Sequence, residues 1–186
     1  MLLSRNPGWL SLAAIIVLGT PNAATAAEPD SVELSNLAAC YADGIDLIGN
    51  GKSDAGATRW RQCFAEDLKF TLTFGTSFSM TCPGEKCPMP ASMTGIDRRV
   101  AAARNTYERA GYVATSHHLT SIGIEQSAAD RARVSAHLQA WHVRKDGATV
   151  LGLGTWTVDI RKTAAGWRIV EETLESPLRV VMPKAD

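Results

Sequence analysis

The chain reads as an α+β domain, three helices packed on a strongly curved, mostly antiparallel sheet. Three observations predict this. Apolar residues recur at three- and four-residue steps between Val32 and Ile48, which is helical spacing. From Leu68 to Phe74 the period changes to two, as in a strand with one buried face. After Gly111 four long strand-like segments follow one another with only short turns between them, so helices and sheet are segregated along the chain.

The first helix spans Val32–Ile48, with Leu34, Leu37, Ala38, Tyr41, Ile45 and Ile48 on one stripe. Asp30 or Ser31 can cap its start, and Gly49-Asn50-Gly51 ends it. Asp54 is the expected cap of a second helix carrying Ala57, Trp60, Phe64 and Ala65 inward. Leu68, Phe70, Leu72 and Phe74 form the first strand, and the proline-rich stretch from Ser79 to Thr94 reads as a loop. A third helix covers Ile96–Ala110, with Asp97 in its first turn and Gly111 as its stop. The strands are Tyr112–Gln126, Arg131–Lys145, Thr149–Lys162 and Trp167–Glu175. Asp146-Gly147 is the strongest hairpin signal among their turns. Gly152 and Gly154 within the third of these strands suit sheet curvature better than a nucleotide loop.

Residues 1–26 read as a signal peptide. Arg5 precedes a run from Trp9 to Leu18 that is too short to span a bilayer, and Ala24-Thr25-Ala26 offers small residues for cleavage. Residues 27–186 are then one domain, periplasmic or secreted, with no membrane association after cleavage. Cleavage removes only Arg5, leaving 18 basic and 19 acidic side chains. A near-neutral chain without basic clusters excludes an electrostatic case for nucleic acid.

Four cysteines in an exported chain read as two disulfides. Cys82 and Cys87 flank a Pro-Gly turn, which makes a local bridge easy and leaves Cys40 with Cys63. Zinc held by Cys82, Cys87 and a histidine is the competing reading. The four-residue gap sits at the limit of zinc-ligand spacing, and an oxidising compartment favours the bridge.

All four histidines lie between His117 and His142. Neighbours on a strand face opposite ways, so one of His117 and His118 at most looks into any single pocket. A hairpin centred symmetrically on Ser127–Asp130 puts His117 with His142 and His118 with His137. The apolar pattern prefers a one-residue shift. Then His118, Ile122 and Ile124 join Val134, Ala136, Leu138 and Ala140, while His117, His137 and Trp141 share the more polar face. The shifted arrangement makes His117 and His137 the expected pocket histidines. Trp141 and Trp156 could line an apolar pocket with Tyr41, the alternative for both tryptophans being core or interface. Glu171-Glu172 sets one carboxylate on each face of the last strand.

The order of elements resembles the nuclear-transport-factor-like cone fold, also called cystatin-like, and within it the SnoaL-like domains. Tyr41-Ala42-Asp43-Gly44-Ile45-Asp46, Cys63-Phe64-Ala65-Glu66-Asp67, Gly95-Ile96, His117-His118-Leu119-Thr120 and Gly166-Trp167-Arg168-Ile169 carry the likeness. Enzymes of this fold include polyketide cyclases, ketosteroid isomerase, scytalone dehydratase and lindane dehydrochlorinase, several of which use a helix Asp with a strand His. Carried over by position, the His falls on His117. The Asp falls on Asp46, with Asn50 and Asp54 as alternatives because Gly49-Asn50-Gly51-Lys52-Ser53 lengthens the inter-helix loop.

An Asp–His pair suits proton abstraction, with neutral imidazole taking the proton and the carboxylate fixing its tautomer. The resulting expectation is a cofactor-independent lyase or isomerase on a small, partly apolar molecule. His117 would be its base, Asp46 the orienting partner and His137 a binding or acid group. The competing expectation is a non-catalytic ligand-binding or dimeric interaction domain. An Asp46–His117 separation beyond about 5 Å would favour the latter. A third possibility, the small subunit of a ring-hydroxylating oxygenase, fits poorly with an export signal. A homodimer is expected from the resemblance and from apolar groups on both faces of the strands.

Overall fold

A computed structural model describes residues 28–74, 81–82, 85–86 and 92–184. The expected signal peptide lies outside these residues. The expected Cys82–Cys87 bridge does too, because Cys87 is not among them. The elements are α1 (Glu28–Gly49), α2 (Ser53–Arg61), β1 (Phe64–Phe74), β2 (Thr81–Cys82), β3 (Glu85–Lys86) and β4 (Ser92–Thr94). They continue with α3 (Ile96–Ala110), β5 (Tyr112–Ala128), β6 (Arg131–Arg144), β7 (Thr149–Thr163) and β8 (Gly166–Met182).

Six strands form one sheet in the order β4-β1-β8-β7-β6-β5. Every pairing is antiparallel except β1 with β8, which run parallel. The result is the expected α+β arrangement of three helices on a mixed, mostly antiparallel sheet. The helices cover one face, where Val134, Ala136, Trp156, Val158, Trp167 and Ile169 meet Leu34, Tyr41 and Trp60. Trp60 is fully buried, and its indole N–H donates to the Tyr41 carbonyl at 3.0 Å, so the largest side chain of α2 leaves no unpaired donor in the core. Gly44 makes this crossing possible, because a Cβ there would run into the Trp60 indole.

Cys40 and Cys63 are joined, tying the middle of α1 to the start of β1. With a sequence separation of 23 residues, closing this loop stabilises by about 3 kcal/mol in the chain-entropy model.

Several expectations are corrected. Phe64 and Ala65 open β1 instead of ending α2, because β1 pairs with β8 from Phe64 onward. The residue before α2 is Lys52, which makes no side-chain cap, and Asp54 lies in the first turn. Asp30 and Ser31 fall inside α1, not at its cap. The loop before α3 contains β4, which extends the sheet beside β1. β8 runs past Glu175 to Met182, and a register shift between Leu153 and Thr155 absorbs the Ser176-Pro177 step.

The hairpin of β5 and β6 carries the most consequential correction. Near the histidines the register is the symmetric one, with His117 opposite Ala140 and His118 opposite Gln139. A bulge between Thr120 and Gly123 then shifts it by one, so that Ile124 faces Val134 only near the turn. Ser121 sits in the bulge with a left-handed φ of 54°. The apolar pattern therefore holds for half the hairpin. Ile122 and Ile124, which suggested the shift, lie where β5 projects beyond the helices and are exposed.

Candidate active site

Asp46 lies on the last full turn of α1, and His117 on β5, the strand against which that turn packs. The two carboxylate oxygens of Asp46 receive three donors. Oδ2 accepts the His117 backbone N–H at 2.9 Å. Oδ1 accepts the Thr115 hydroxyl at 3.1 Å and lies 2.6 Å from His117 Nδ1. An ionised carboxylate only accepts, so the imidazole must carry its proton on Nδ1 when neutral. That leaves the Nε2 lone pair free of the acid. The 2.6 Å contact is well inside the 5 Å bound set for a direct pair.

Nε2 lies 3.3 Å from the Tyr107 hydroxyl, inside the protein. Burial raises the Tyr107 phenol well above its usual range, so it stays protonated and donates to the unprotonated Nε2. His142 stands beside His117 with ring centroids 5.3 Å apart and nearly perpendicular planes. It stacks on Tyr112 at 4.5 Å, and Arg179 donates to the Tyr112 hydroxyl at 2.7 Å. Burial first, and His117 second, push the His142 imidazole down to about 3. It is uncharged at neutral pH, and its Nδ1 has no well-oriented hydrogen-bond partner among the described residues.

These rings line an open-mouthed cavity of about 130 Å³. Its walls include Tyr41, Phe70, Tyr107, Tyr112, His117 and His142. An engineered apolar cavity of about 150 Å³ holds benzene, so the space suits a body of about one ring. A wall formed mostly by rings and aliphatic groups binds such a body by desolvation and leaves the few polar atoms to orient it.

Arg99, from the first turn of α3, also reaches the cavity wall. Its Nε donates to Glu172 Oε2 at 3.0 Å, and its guanidinium lies 3.9 Å from the centroid of Phe70. Burial opposes its charge, but the neighbouring Glu172 more than offsets this and raises its pKa. Among the described residues no group of three or more His, Cys, Asp or Glu side chains is placed to hold a metal ion.

The structure thus brings together His117, Asp46 and Tyr41 and separates the other expected site residues. His137 and Trp141 point to the opposite, exposed face of β6, because the symmetric register holds there. Trp156 is fully buried in the core at 5.1 Å from the Tyr41 ring and does not line the cavity. Asn50 contacts Thr115 and not His117, while Asp54 pairs with Arg104 on the surface. Of the two candidate carboxylates on β8, Glu172 is the inward one, already paired with Arg99. Reasoning from sequence missed His142, Tyr107 and Tyr112. The symmetric hairpin was the signal that pointed to His142. Tyr107 lies four residues before the helix-stopping Gly111, on the buried stripe of α3.

The profile of the SnoaL-like domain matches residues 29–173. Solved structures share the fold of the nuclear-transport-factor-like superfamily, also described as cystatin-like. A Kribbella flavida protein is 24% identical with a TM-score of 0.62, covering 82% of this chain and 94% of that one. A hexachlorocyclohexane dehydrochlorinase (LinA, type 2) is 13% identical with a TM-score of 0.64, covering 84% and 91%. A Novosphingobium aromaticivorans protein provisionally assigned as a scytalone dehydratase is 18% identical with a TM-score of 0.56, covering 84% and 93%. At these identities the likeness carries the fold alone. No curated protein matches the chain.

Proposed function

The chain belongs to the SnoaL-like domain family, and from that premise we propose that it is a cofactor-independent lyase or isomerase acting on a small, largely apolar, ring-sized molecule. One observation carries this reading. His117 lines an apolar cavity with its Nε2 free of the acid and 3.3 Å from the Tyr107 hydroxyl, which substrate would displace, while its Nδ1 is held 2.6 Å from Asp46. In this reading Nε2 takes a proton from a substrate carbon. In an isomerisation the C–H electron pair forms an enolate, and the imidazolium returns the proton to another carbon; in an elimination that pair becomes the new double bond and the leaving group departs with its own pair. Asp46 stabilises the imidazolium that forms. Tyr107 supplies a neutral hydroxyl beside Nε2, and uncharged His142 offers a second polar edge for a substrate oxygen or leaving group. The low-polarity surroundings strengthen each of these contacts. The expected proton acceptor is thus retained, and His142 replaces His137 as the second histidine.

The test is solvent-deuterium incorporation into small cyclic ketones and ring compounds bearing a leaving group, with product analysis alongside. Parent protein is expected to promote exchange or elimination, and His117→Ala to abolish it while remaining folded. Equal turnover by the His117→Ala variant would overturn the assignment.

Two further elements belong to this reading. An exported location is supported by the apolar N-terminal run and the Cys40–Cys63 bridge. A homodimer through the outer sheet face is supported by a cross-strand row of Trp141, Leu151 and Val180, next to exposed Val143 and Leu178. Sedimentation of the mature chain tests the dimer, with Trp141→Asp expected to yield monomer.

A further inference from the structure

We propose that Asn50 is a positioning residue for the Asp46–His117 pair, holding the end of α1 in register with β5. The inference rests on reading that pair as acid–base machinery. Among the described residues β5 is the outermost strand of the sheet, so its alternate N–H and C=O groups turn away from β6 with no described strand to receive them. At the site, side chains of α1 take their place. Asn50 Oδ1 accepts the Thr115 N–H at 2.9 Å, and its Nδ2 donates to the Thr115 carbonyl at 3.2 Å. This is the two-bond exchange a neighbouring strand residue would make. Asp46 Oδ2 accepts the next outward N–H, that of His117.

The match is geometric. Residues four apart on a helix rise about 6 Å, and residues two apart on a strand advance about 6.6 Å. Asn50 follows α1 directly, and its N–H still donates to the Asp46 carbonyl at 2.9 Å, so the 46/50 pair meets the 117/115 pair on β5 with one register only. Gly49 lets the two approach, since a Cβ there would collide with the Thr115 side chain. The Thr115 hydroxyl then links the two contacts by donating to Asp46 Oδ1. Asp46 is a quarter exposed, so water competes for it. Without the Asn50 clamp the helix end is free to turn, and the carboxylate can leave Nδ1 for solvent.

The experiment uses nitrogen-15 NMR of histidines in the mature chain, comparing parent, Asn50→Ala and Asn50→Asp. The parent is expected to show His117 fixed as the Nδ1–H tautomer with a protected Nδ1 proton. Asn50→Ala should lose that protected signal and move both ring nitrogens toward a mixed tautomer, while circular dichroism shows a folded protein. Asn50→Asp should fail to rescue, because it replaces the donor facing the Thr115 carbonyl with an acceptor. If Asn50→Ala does not fold, Asn50→Ser is measured, with the same movement expected. Unchanged His117 resonances in a folded variant overturn the proposal, whatever the loss of stability. The readout needs no substrate, so a parent without turnover would sink the reading of the pair and leave this measurement decisive on positioning. Where turnover exists, Asn50→Ala should lower kcat about tenfold with KM unchanged.

Discussion

Two acid–base pairs are buried within this small protein, and they are built to opposite ends. Arg99 and Glu172 are almost wholly removed from solvent, with side-chain exposures of 4% and 0%. Phe70 and Trp60 flank the guanidinium. Arginine does not give up its proton in a protein, so this pair holds α3 to β8 but transfers nothing. In the Asp46–His117 pair the carboxylate is a quarter exposed, and the ring lines the cavity with Nε2 against the Tyr107 hydroxyl. In the proposed function, an imidazole held at Nδ1 by the acid takes a proton at Nε2 and returns it. Burial alone therefore does not mark a reactive site. The proposed function rests instead on an imidazole whose Nε2 meets a neutral, cavity-lining hydroxyl and not a fixed charge.

Substitutions can break or sharpen that contrast. The largest effect is expected from Glu172→Ala, which strands a buried guanidinium and should cost about 3–5 kcal/mol. Urea unfolding measures it, and a loss below about 1 kcal/mol would remove the structural role assigned here. Next is His117→Ala, where turnover should fall at least about a hundredfold while the unfolding midpoint moves far less than in Glu172→Ala. A reversed order of stabilities would dissolve the comparison.

The third effect depends on pH. Below pH 6.5 the unfolded chain binds a proton at His142 that the folded chain refuses down to about 3. Stability contributed by neutral His142 is therefore complete above 6.5 and falls as pH drops, by about 1.4 kcal/mol per unit across that window. His142→Gln should flatten this slope in a series of denaturation curves. The smallest effect is that of Tyr107→Phe, which removes the hydroxyl beside Nε2 and should cost about 1 kcal/mol. Its signature is a change in the His117 titration followed by NMR, which a packing loss alone would not produce.

Much of the architecture was legible in local pattern. Periodicity located α1, Asp97 and Gly111 marked the ends of α3, and the Asp-Gly turn and strand patterning located the β5–β8 meander. The parallel pairing of β1 with β8 left no such trace, because it joins segments about a hundred residues apart. Phe64 showed why a helical stripe overreaches, as an apolar residue at the right spacing serves equally well at the start of a strand. At the site, the resemblance to known domains picked out Asp46 and His117, and the structure sets them 2.6 Å apart. His142 was missed through a single step of parity. Ile122 and Ile124 argued for an apolar face at the tip, and that argument was extended through a bulge where it no longer applied.

The bulge at Ser121 also separates the hairpin into two mechanically distinct lengths. Between the bulge and Tyr112, α1 and α3 fix which residues face inward. Between the bulge and the turn, β6 keeps Val134 and Ala132 in the core while β5 carries exposed Ile122 and Ile124. The β5 side of the tip can therefore change in composition without turning the imidazole away from the cavity.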